Sequence, residues 1–197
     1  MKAETLYEQD HLLQNDLGLA YFAKGKLDLA LVHFEKALAI KPDYAGAQNN
    51  MGTVYLKLEE WDKAIDSFNH ALEQLLYATP HFSLNNLGEA YRGKGDYERS
   101  IEFYKKALDA EPRFFRAHRG LGRIYMAMGN YEAAIASLEK AVHYAPGFAP
   151  AHYDLGRAYV GKYNRGKALS AFKKVVGLVP DSPLAEAASA EITKLQR

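Results

Sequence analysis

One short pattern returns five times along the 197 residues and dictates the architecture. The pairs Leu17-Gly18, Met51-Gly52, Leu87-Gly88, Leu121-Gly122 and Leu155-Gly156 stand 34, 36, 34 and 34 residues apart. Three residues after each glycine comes a tyrosine: Tyr21, Tyr55, Tyr91, Tyr125 and Tyr159. A small residue then precedes a large apolar one by four places, in Ala30/Phe34, Ala64/Phe68, Ser100/Tyr104, Ala134/Leu138 and Ala168/Phe172, and each unit closes on a proline, Pro42, Pro80, Pro112, Pro146 and Pro180. A unit of this length cannot bury its apolar face alone, so a period of 20–50 residues signals stacked supersecondary units sharing one continuous core.

Within a unit the spacing is helical. Leu17, Gly18 and Tyr21 fall on one helix face, and Ala30, Phe34, Ala37 and Leu38 make a second amphipathic stripe. The pattern predicts first helices near 10–23, 44–57, 81–93, 114–127 and 148–161. Second helices are predicted near 27–40, 61–75, 97–110, 131–144 and 165–178. Gly25, Gly95 and Gly129 are placed to end first helices, and Lys41-Pro42-Asp43, Glu111-Pro112-Arg113 and Ala145-Pro146-Gly147 to stop second ones. After Pro180, Asp181-Ser182-Pro183 is a helix start, and Leu184, Ala188, Ile192 and Leu195 stripe one face of a last helix that covers the exposed end of the stack. At the other end, Leu6 and Tyr7 either extend the first helix backwards or belong to a loose arm.

The pattern resembles the tetratricopeptide repeat (TPR), W-x2-L-G-x2-Y, then A-x3-F, then P. The usual tryptophan is replaced by Gln14, Gln48, Leu84, His118 and His152. The resemblance implies an all-α fold, a right-handed α-solenoid superhelix of five TPR helix pairs plus a C-terminal capping helix. The expected organisation is an N-terminal arm or helix extension over 1–10, units at 11–44, 45–80, 81–114, 115–148 and 149–182, and the cap at 183–197.

Composition narrows the chemistry. Without cysteine there is no disulfide framework, thiolate metal site, cysteine nucleophile or acylated cysteine in the chain as given. Apolar runs such as Val175 to Pro180 fall far short of the roughly 20 residues of a membrane span, and Met1 to Asp10 has no apolar signal-peptide core, so a soluble chain is expected. The net charge of +1 conceals an asymmetry: residues 1–98 carry 9 basic and 15 acidic side chains, residues 99–197 carry 16 and 9, giving −6 and +7. That balance argues against a dedicated nucleic-acid binder while leaving an anionic partner open to the basic half.

No Gly-rich phosphate loop, G-x-S-x-G elbow, H-E-x-x-H or acidic calcium loop is present, so no enzyme activity, cofactor or metal is expected. His118 and His152 occupy equivalent places in successive units but have no third ligand in phase, and read as polar-tipped fillers. Glu59-Glu60 sits at a turn as a solvated pair.

The resemblance implies that first helices line a concave groove, with the residues 2, 5, 6, 9, 12 and 13 places into each unit pointing into it. In the first three units these include Asn15, Asp16, Asn49, Asn50, Phe82, Asn85, Asn86, Glu89 and Arg92. Amide side chains can hold the backbone of an extended peptide; at Asn49 and Asn85 the alternative is that they satisfy nearby helix groups. In the fourth unit Arg116, Arg119 and Arg123 share one helix face, and Tyr153, Asp154 and Arg157 follow in the fifth. Arginine forks suit carboxylates and phosphates. The alternative is an internal network in which Glu89 and Asp154 neutralise the arginines, although Arg116 has no evident acidic partner. Phe82 and Tyr153 are placed to offer apolar pockets.

The groove does not match the TPR clamp for chaperone tails, because Asn15 is followed four residues on by Leu19 and Asn49 by Thr53. A narrower resemblance lies in Leu75-Leu76-Tyr77-Ala78-Thr79-Pro80 ahead of Asn85-Asn86-Leu87-Gly88, which is similar to N-P-L-Y-x-x-P followed by N-L-G in TPR lipoproteins of type IV pilus biogenesis, the pilotins that help a secretin assemble. The chain therefore reads as a non-enzymatic bacterial scaffold binding an extended protein segment with an acidic or carboxyl-terminal part, in pilus/secretin or envelope assembly. It would be periplasmic or outer-membrane-associated if a leader was removed, and otherwise cytoplasmic. Two other readings stand beside it: a cytoplasmic self-associating adaptor, and the regulatory TPR part of a longer enzyme.

Overall fold

The computed structural model describes residues 10–74 and 78–197; the expected extension through Leu6 and Tyr7, and Leu75 to Tyr77 of the longer linker, lie outside them. Among the described residues there are eleven α-helices and no strand: α1 His11–Ala23, α2 Leu27–Ile40, α3 Ala45–Lys57, α4 Trp61–Leu72, α5 Pro80–Gly93, α6 Tyr97–Ala110, α7 Phe115–Ala127, α8 Tyr131–Tyr144, α9 Ala149–Gly161, α10 Arg165–Leu178 and α11 Pro183–Gln196. This is the α-solenoid class, five helix pairs and a final helix. The chain divides into two compact units, Met1–Phe103 and Tyr104–Arg197.

The turn inside each pair is the same device five times. The residue three places past the first helix folds back to the repeat tyrosine, Lys26 N–H donating to the Tyr21 carbonyl and likewise Glu60 to Tyr55, Asp96 to Tyr91, Asn130 to Tyr125 and Asn164 to Tyr159, at 2.8–3.0 Å. This closure needs the residue before it in the left-handed region. Gly25, Gly95 and Gly129 take φ of 72°, 79° and 74° there, as expected, whereas the second and fifth turns force Glu59 to 60° and Tyr163 to 56°. Those two turns were hidden because neither carries the glycine that announces the conformation.

Second helices end at their proline loops, and the final helix starts where Ser182 Oγ accepts from Ala185 N–H at 3.1 Å with Pro183 in its first turn. One boundary differs from expectation. The helix predicted to reach residue 75 stops at Leu72, and its end is closed by Gln74, whose Nε2 donates to the His70 carbonyl at 3.1 Å. Pro80, expected to close the unit, opens α5 instead, where its missing N–H costs no helix bond. The longer second unit thus lengthens the linker, and α4 still packs directly on α5.

The repeated apolar residues form the core. Phe34, Phe68, Tyr104, Leu138 and Phe172 are fully buried, as are Ala30, Ala64, Ala134 and Ala168 beside them. In four pairs the Leu/Met-Gly glycine lets the helices close. A Cβ on Gly18, Gly52, Gly122 or Gly156 would lie 2.4–2.6 Å from the nearest atom of Phe34, Phe68, Leu138 or Phe172 respectively. The third pair, with Ser100 in place of alanine, uses the opening differently: the buried Ser100 hydroxyl donates to the Gly88 carbonyl at 2.7 Å. In the first unit Ala64, Ile65 and Phe68 of α4 share a cluster with Leu87 and Ala90 of α5. In the second, Leu138, Leu155, Tyr159, Phe172 and Val175 join Ala188 of α11, which covers the end of the array with Leu184, Ile192 and Leu195.

Candidate functional site

In each unit the two kinds of helix lie in different layers. First helices touch their counterparts in the next repeat (α1 with α3 and α3 with α5; α7 with α9 and α9 with α11), while α2 with α4, and α8 with α10, make no contact among the described residues. Helices that meet line the inner side of a bend, and helices that diverge lie on its outer side. The expected groove positions therefore fall on the inner layer of each unit.

In the first unit most of the amides pair with one another. Asn50 Nδ2 donates to Asn15 Oδ1 at 2.8 Å, and Asn49 Oδ1 accepts from Ser83 Oγ at 2.9 Å and from Asn86 Nδ2 at 3.3 Å. Asn85 Nδ2 donates to Asn86 Oδ1 at 3.3 Å, leaving the buried Asn85 Oδ1 without a partner among the described residues. Asn15 and Asn85 are buried and Asn49, Asn50 and Asn86 half-buried, so this ladder ties α1, α3 and α5 together and keeps only part of its polar surface for a ligand. Glu89 and Arg92 form an ion pair at 2.7 Å one turn apart on α5. Phe82 is exposed against the ring of His81, and Leu12 and Leu19 are exposed at the second and ninth places of the first repeat.

The second unit is organised around arginine. Arg119 Nε donates to Asp154 Oδ2 at 2.6 Å, joining α7 to α9 through a carboxylate that is almost wholly buried. Such a pair is hard to break, because losing the cation strands a buried charge at a cost of about 3–5 kcal/mol. The Arg119 guanidinium lies 5.7 Å from the centre of the Phe148 ring, Arg116 lies 5.7 Å from that of Phe115, and the two phenyl rings meet edge to face at 4.9 Å. This aromatic pair was not singled out from the sequence, although Phe114-Phe115 and Phe148 both follow a proline loop into a first helix. Arg116 and Arg157 are exposed, with no carboxylate within ion-pair distance among the described residues; Arg123 is half-buried. Tyr153 packs edge-on against Phe172 at 5.5 Å and so belongs partly to the core.

The residues at the tryptophan position do local work. His118 Nε2 donates to the Pro112 carbonyl at 3.0 Å and His152 Nε2 to that of Pro146 at 2.9 Å, each tying a first helix to the loop before it. Burial, and secondarily the charge of Lys140, hold His118 below the ordinary imidazole range against the opposing effect of the Pro112 carbonyl. Gln14 reaches His33 Nδ1 at 2.8 Å. Tyr159 donates its hydroxyl to Glu139 Oε1 at 2.6 Å, and burial together with that carboxylate pushes the phenol up to about 12. Among the described residues no three His, Asp or Glu side chains gather as a metal-binding group, and no helix is long and apolar enough to cross a membrane.

Family models described as tetratricopeptide repeats match residues 43–111, 85–147 and 126–192, and one described as a TPR repeat matches 18–59, so together they run without a gap from 18 to 192. The chain belongs to the tetratricopeptide repeat family. Among curated TPR relatives, anaphase-promoting complex subunit cut9 of Schizosaccharomyces pombe is 37% identical over 76 residues, 34% of this chain and 11% of that protein. The chain spans less than a fifth of the length of the first curated relatives it matches. The solved structure of PilW, a widely conserved type IV pilus biogenesis factor, superposes with a TM-score of 0.81 at 23% identity, over 92% of this chain and 83% of PilW. That of YrrB, a TPR protein with an unusual peptide-binding site, gives 0.61 at 24% identity over 96% of both chains. These likenesses are to the TPR fold.

Proposed function

We propose that this TPR protein is a non-enzymatic scaffold whose inner helix layers bind an extended protein segment, and that the C-terminal unit takes the segment's acidic or carboxyl-terminal part. The observation that carries the reading is the exposure of Arg116 and Arg157 on the inner layer, where the neighbouring buried acid, Asp154, is already engaged by Arg119. Two permanent cations without carboxylates suit an anionic partner, and the adjoining phenyl pair supplies a flat apolar contact. In the first unit the exposed Leu12, Leu19 and Phe82 and the outer edges of Asn50 and Asn86 offer side-chain and backbone contacts. We take the repeats as 11–44, 45–80, 81–114, 115–148 and 149–182, with 183–197 as cap and 1–10 as an arm or helix extension.

The place we assign it is type IV pilus or envelope assembly. Its likeness to PilW and the pilotin-like stretch through Pro80 and Asn85-Asn86-Leu87-Gly88 support this. Compartment follows from the native gene: upstream codons for a leader ending in a lipid-bearing cysteine place the protein at the periplasmic side of the outer membrane, and their absence leaves it in the cytoplasm.

The test is a pull-down from native extract followed by titration of the captured partner. Arg116→Glu/Arg157→Glu is the informative variant, since Arg119 also holds the fold through Asp154. With about 1.5–3 kcal/mol for each desolvated charge-assisted contact, the double variant should bind at least about tenfold more weakly, with a shallower salt dependence and unchanged helix content. Equal affinity at low salt would remove the arginine face from the function.

A further inference from the structure

The outer side of the C-terminal unit carries a feature that the arginine face does not use. Because α8 and α10 diverge, a cleft of about 260 Å³ opens between them with α9 as its floor, lined by Val142, His152, Leu155, Tyr159, Lys167, Ser170, Ala171 and Lys174. It lies across α9 from the inner layer: Asp154 and Arg157 point to one side of that helix, and His152, Leu155 and Tyr159, at i, i+3 and i+7, to the other.

Two kinds of surface meet there. The bottom is apolar, with Leu155 of α9 and Ala171 of α10 buried and Val142 of α8 half-buried. The α10 wall is cationic: Lys167, Ser170 and Lys174 recur at i, i+3 and i+7, all exposed. Their helix, Arg165–Leu178, carries Arg165, Lys167, Lys173 and Lys174 and no acidic residue, and none of these four cations lies within ion-pair distance of a carboxylate among the described residues. Lys167 stands 5.3 Å from the centre of the Tyr159 ring. The nearby carboxylate, Glu139 of α8, accepts the Tyr159 hydroxyl.

We infer that this cleft is a second binding site, which takes a protein segment presenting an apolar side chain beside a carboxylate. The apolar floor would accept the side chain and gain by its burial, while Lys167 and Lys174 at the rim meet the acid. A bare oxyanion would leave the floor uncovered, and a flat bilayer cannot follow a recess whose bottom is Leu155 and Ala171. With sites on opposite sides of α9, one repeat pair holds two acidic segments at once. That is the property of a bridging scaffold, and it rests on the proposed function of the arginine face, whereas the cleft as a binding site does not.

The test uses the full chain labelled with 15N and two blocked peptides, N-acetyl-Leu-Glu-Leu-Glu-amide and its glutamine counterpart. The glutamate peptide should shift the amides of Val142, Leu155, Ser170, Ala171 and Lys174. Its affinity should fall at least about fivefold with the glutamine peptide or in Lys167→Glu/Lys174→Glu, as the loss of two exposed ion pairs predicts, and should stay unchanged in the charge-matched control Lys24→Glu/Lys26→Glu. The cleft lysines are exposed, so circular dichroism should show both variants folded. The inference is overturned if these amides do not respond, if both peptides bind alike, or if inorganic phosphate or phosphatidylglycerol vesicles perturb the same amides more strongly. Shifts confined to the amides of Arg116 and Arg157 would sink it as well, while leaving the proposed function standing.

Discussion

One substitution, glycine to alanine, should have opposite signs at two places in the C-terminal unit. At Gly156 of α9 the new Cβ would sit 2.6 Å from Phe172 Cε1 and 2.8 Å from both Cδ1 and Cζ, against an ordinary carbon contact of about 3.5–4.0 Å. The ring cannot swing aside, because Phe172 is fully buried with Tyr153 edge-on against it. Overpacking of this kind costs about 1–3 kcal/mol, and the better helix propensity of alanine returns about 1 kcal/mol at most. A net loss of about 1–2 kcal/mol is expected, or roughly 2–8 °C in Tm for a chain of this size. At Gly177, in the last turn of α10, an added Cβ meets no atom within 4 Å, so only the propensity gain of about 0.5–1 kcal/mol remains. Urea and thermal unfolding followed at 222 nm measure both. Gly156→Ala at parental stability, or Gly177→Ala less stable than the parent, would refute the claim that the repeat glycine is retained for close packing.

Phe68→Ala should cost about 3–5 kcal/mol, because the side chain is fully buried between α3, α4 and α5; a loss under about 1 kcal/mol in urea unfolding would contradict that burial. Tyr163→Gly should stabilise by about 0.5–1 kcal/mol, since it relieves a left-handed residue whose side chain is 96% exposed and packs on nothing; an unchanged or lower Tm rejects this. Acidification should destabilise the protein through His118 and His33, both held below the unfolded imidazole value, chiefly by burial. Their contribution is fully present above about pH 6.5 and is lost as pH falls through that value toward the folded ones. The loss between pH 7.5 and 5 should be smaller in His118→Gln, and an equal slope for parent and variant would assign the effect elsewhere.

The structural positions were legible because each does the same job five times. A helix end marked by Gly129, or a core place held by Phe34 or Leu138, is confirmed by a counterpart 34 residues away, Gly95, Phe68 or Phe172. What could not be read were the features belonging to one repeat. Glu59 and Tyr163 adopt the glycine conformation with no glycine to show it, since the fold imposes the turn through the bond back to Tyr55 or Tyr159. The end of α4 was misplaced because Leu75 and Leu76 continue an apolar pattern that says nothing of where Gln74 closes the helix. At the candidate site the inner positions of the arginines were legible from the register. Asp154 was legible as an acid that neutralises them, but not that Arg119 would take it: the two stand 35 residues apart, and their pairing depends on the offset between α7 and α9.

That contrast suggests where function lies in such a chain. Positions fixed by stacking cannot vary without loss of the core, so individual chemistry must reside at places the stack leaves free. The fifth place of the first helix is not one of them. Asn15, Asn49 and Asn85 hold it in the first three repeats, and Arg119 and Tyr153 hold it in the last two. The asparagines there belong to a ladder of amides, where the side chains largely satisfy each other, while Arg119 is fastened to Asp154 and Tyr153 rests on Phe172. Fixing this place in every repeat moves the variable chemistry one turn away, to the second place (Leu12, Gly46, Phe82, Arg116 and Pro150) and the ninth (Leu19, Thr53, Glu89, Arg123 and Arg157). Leu12, Leu19, Phe82, Arg116 and Arg157, all exposed on the inner layers, fall on those two rows. A swap of Arg116 and Arg157 for leucine, the residue that holds the second and ninth places of the first repeat, should therefore leave the unfolding free energy within about 1 kcal/mol of the parent, as exposed positions predict, and change what the C-terminal unit binds. If that exchange unfolded the unit, these rows would be part of the stack, and the division of labour between fixed and free positions would be wrong.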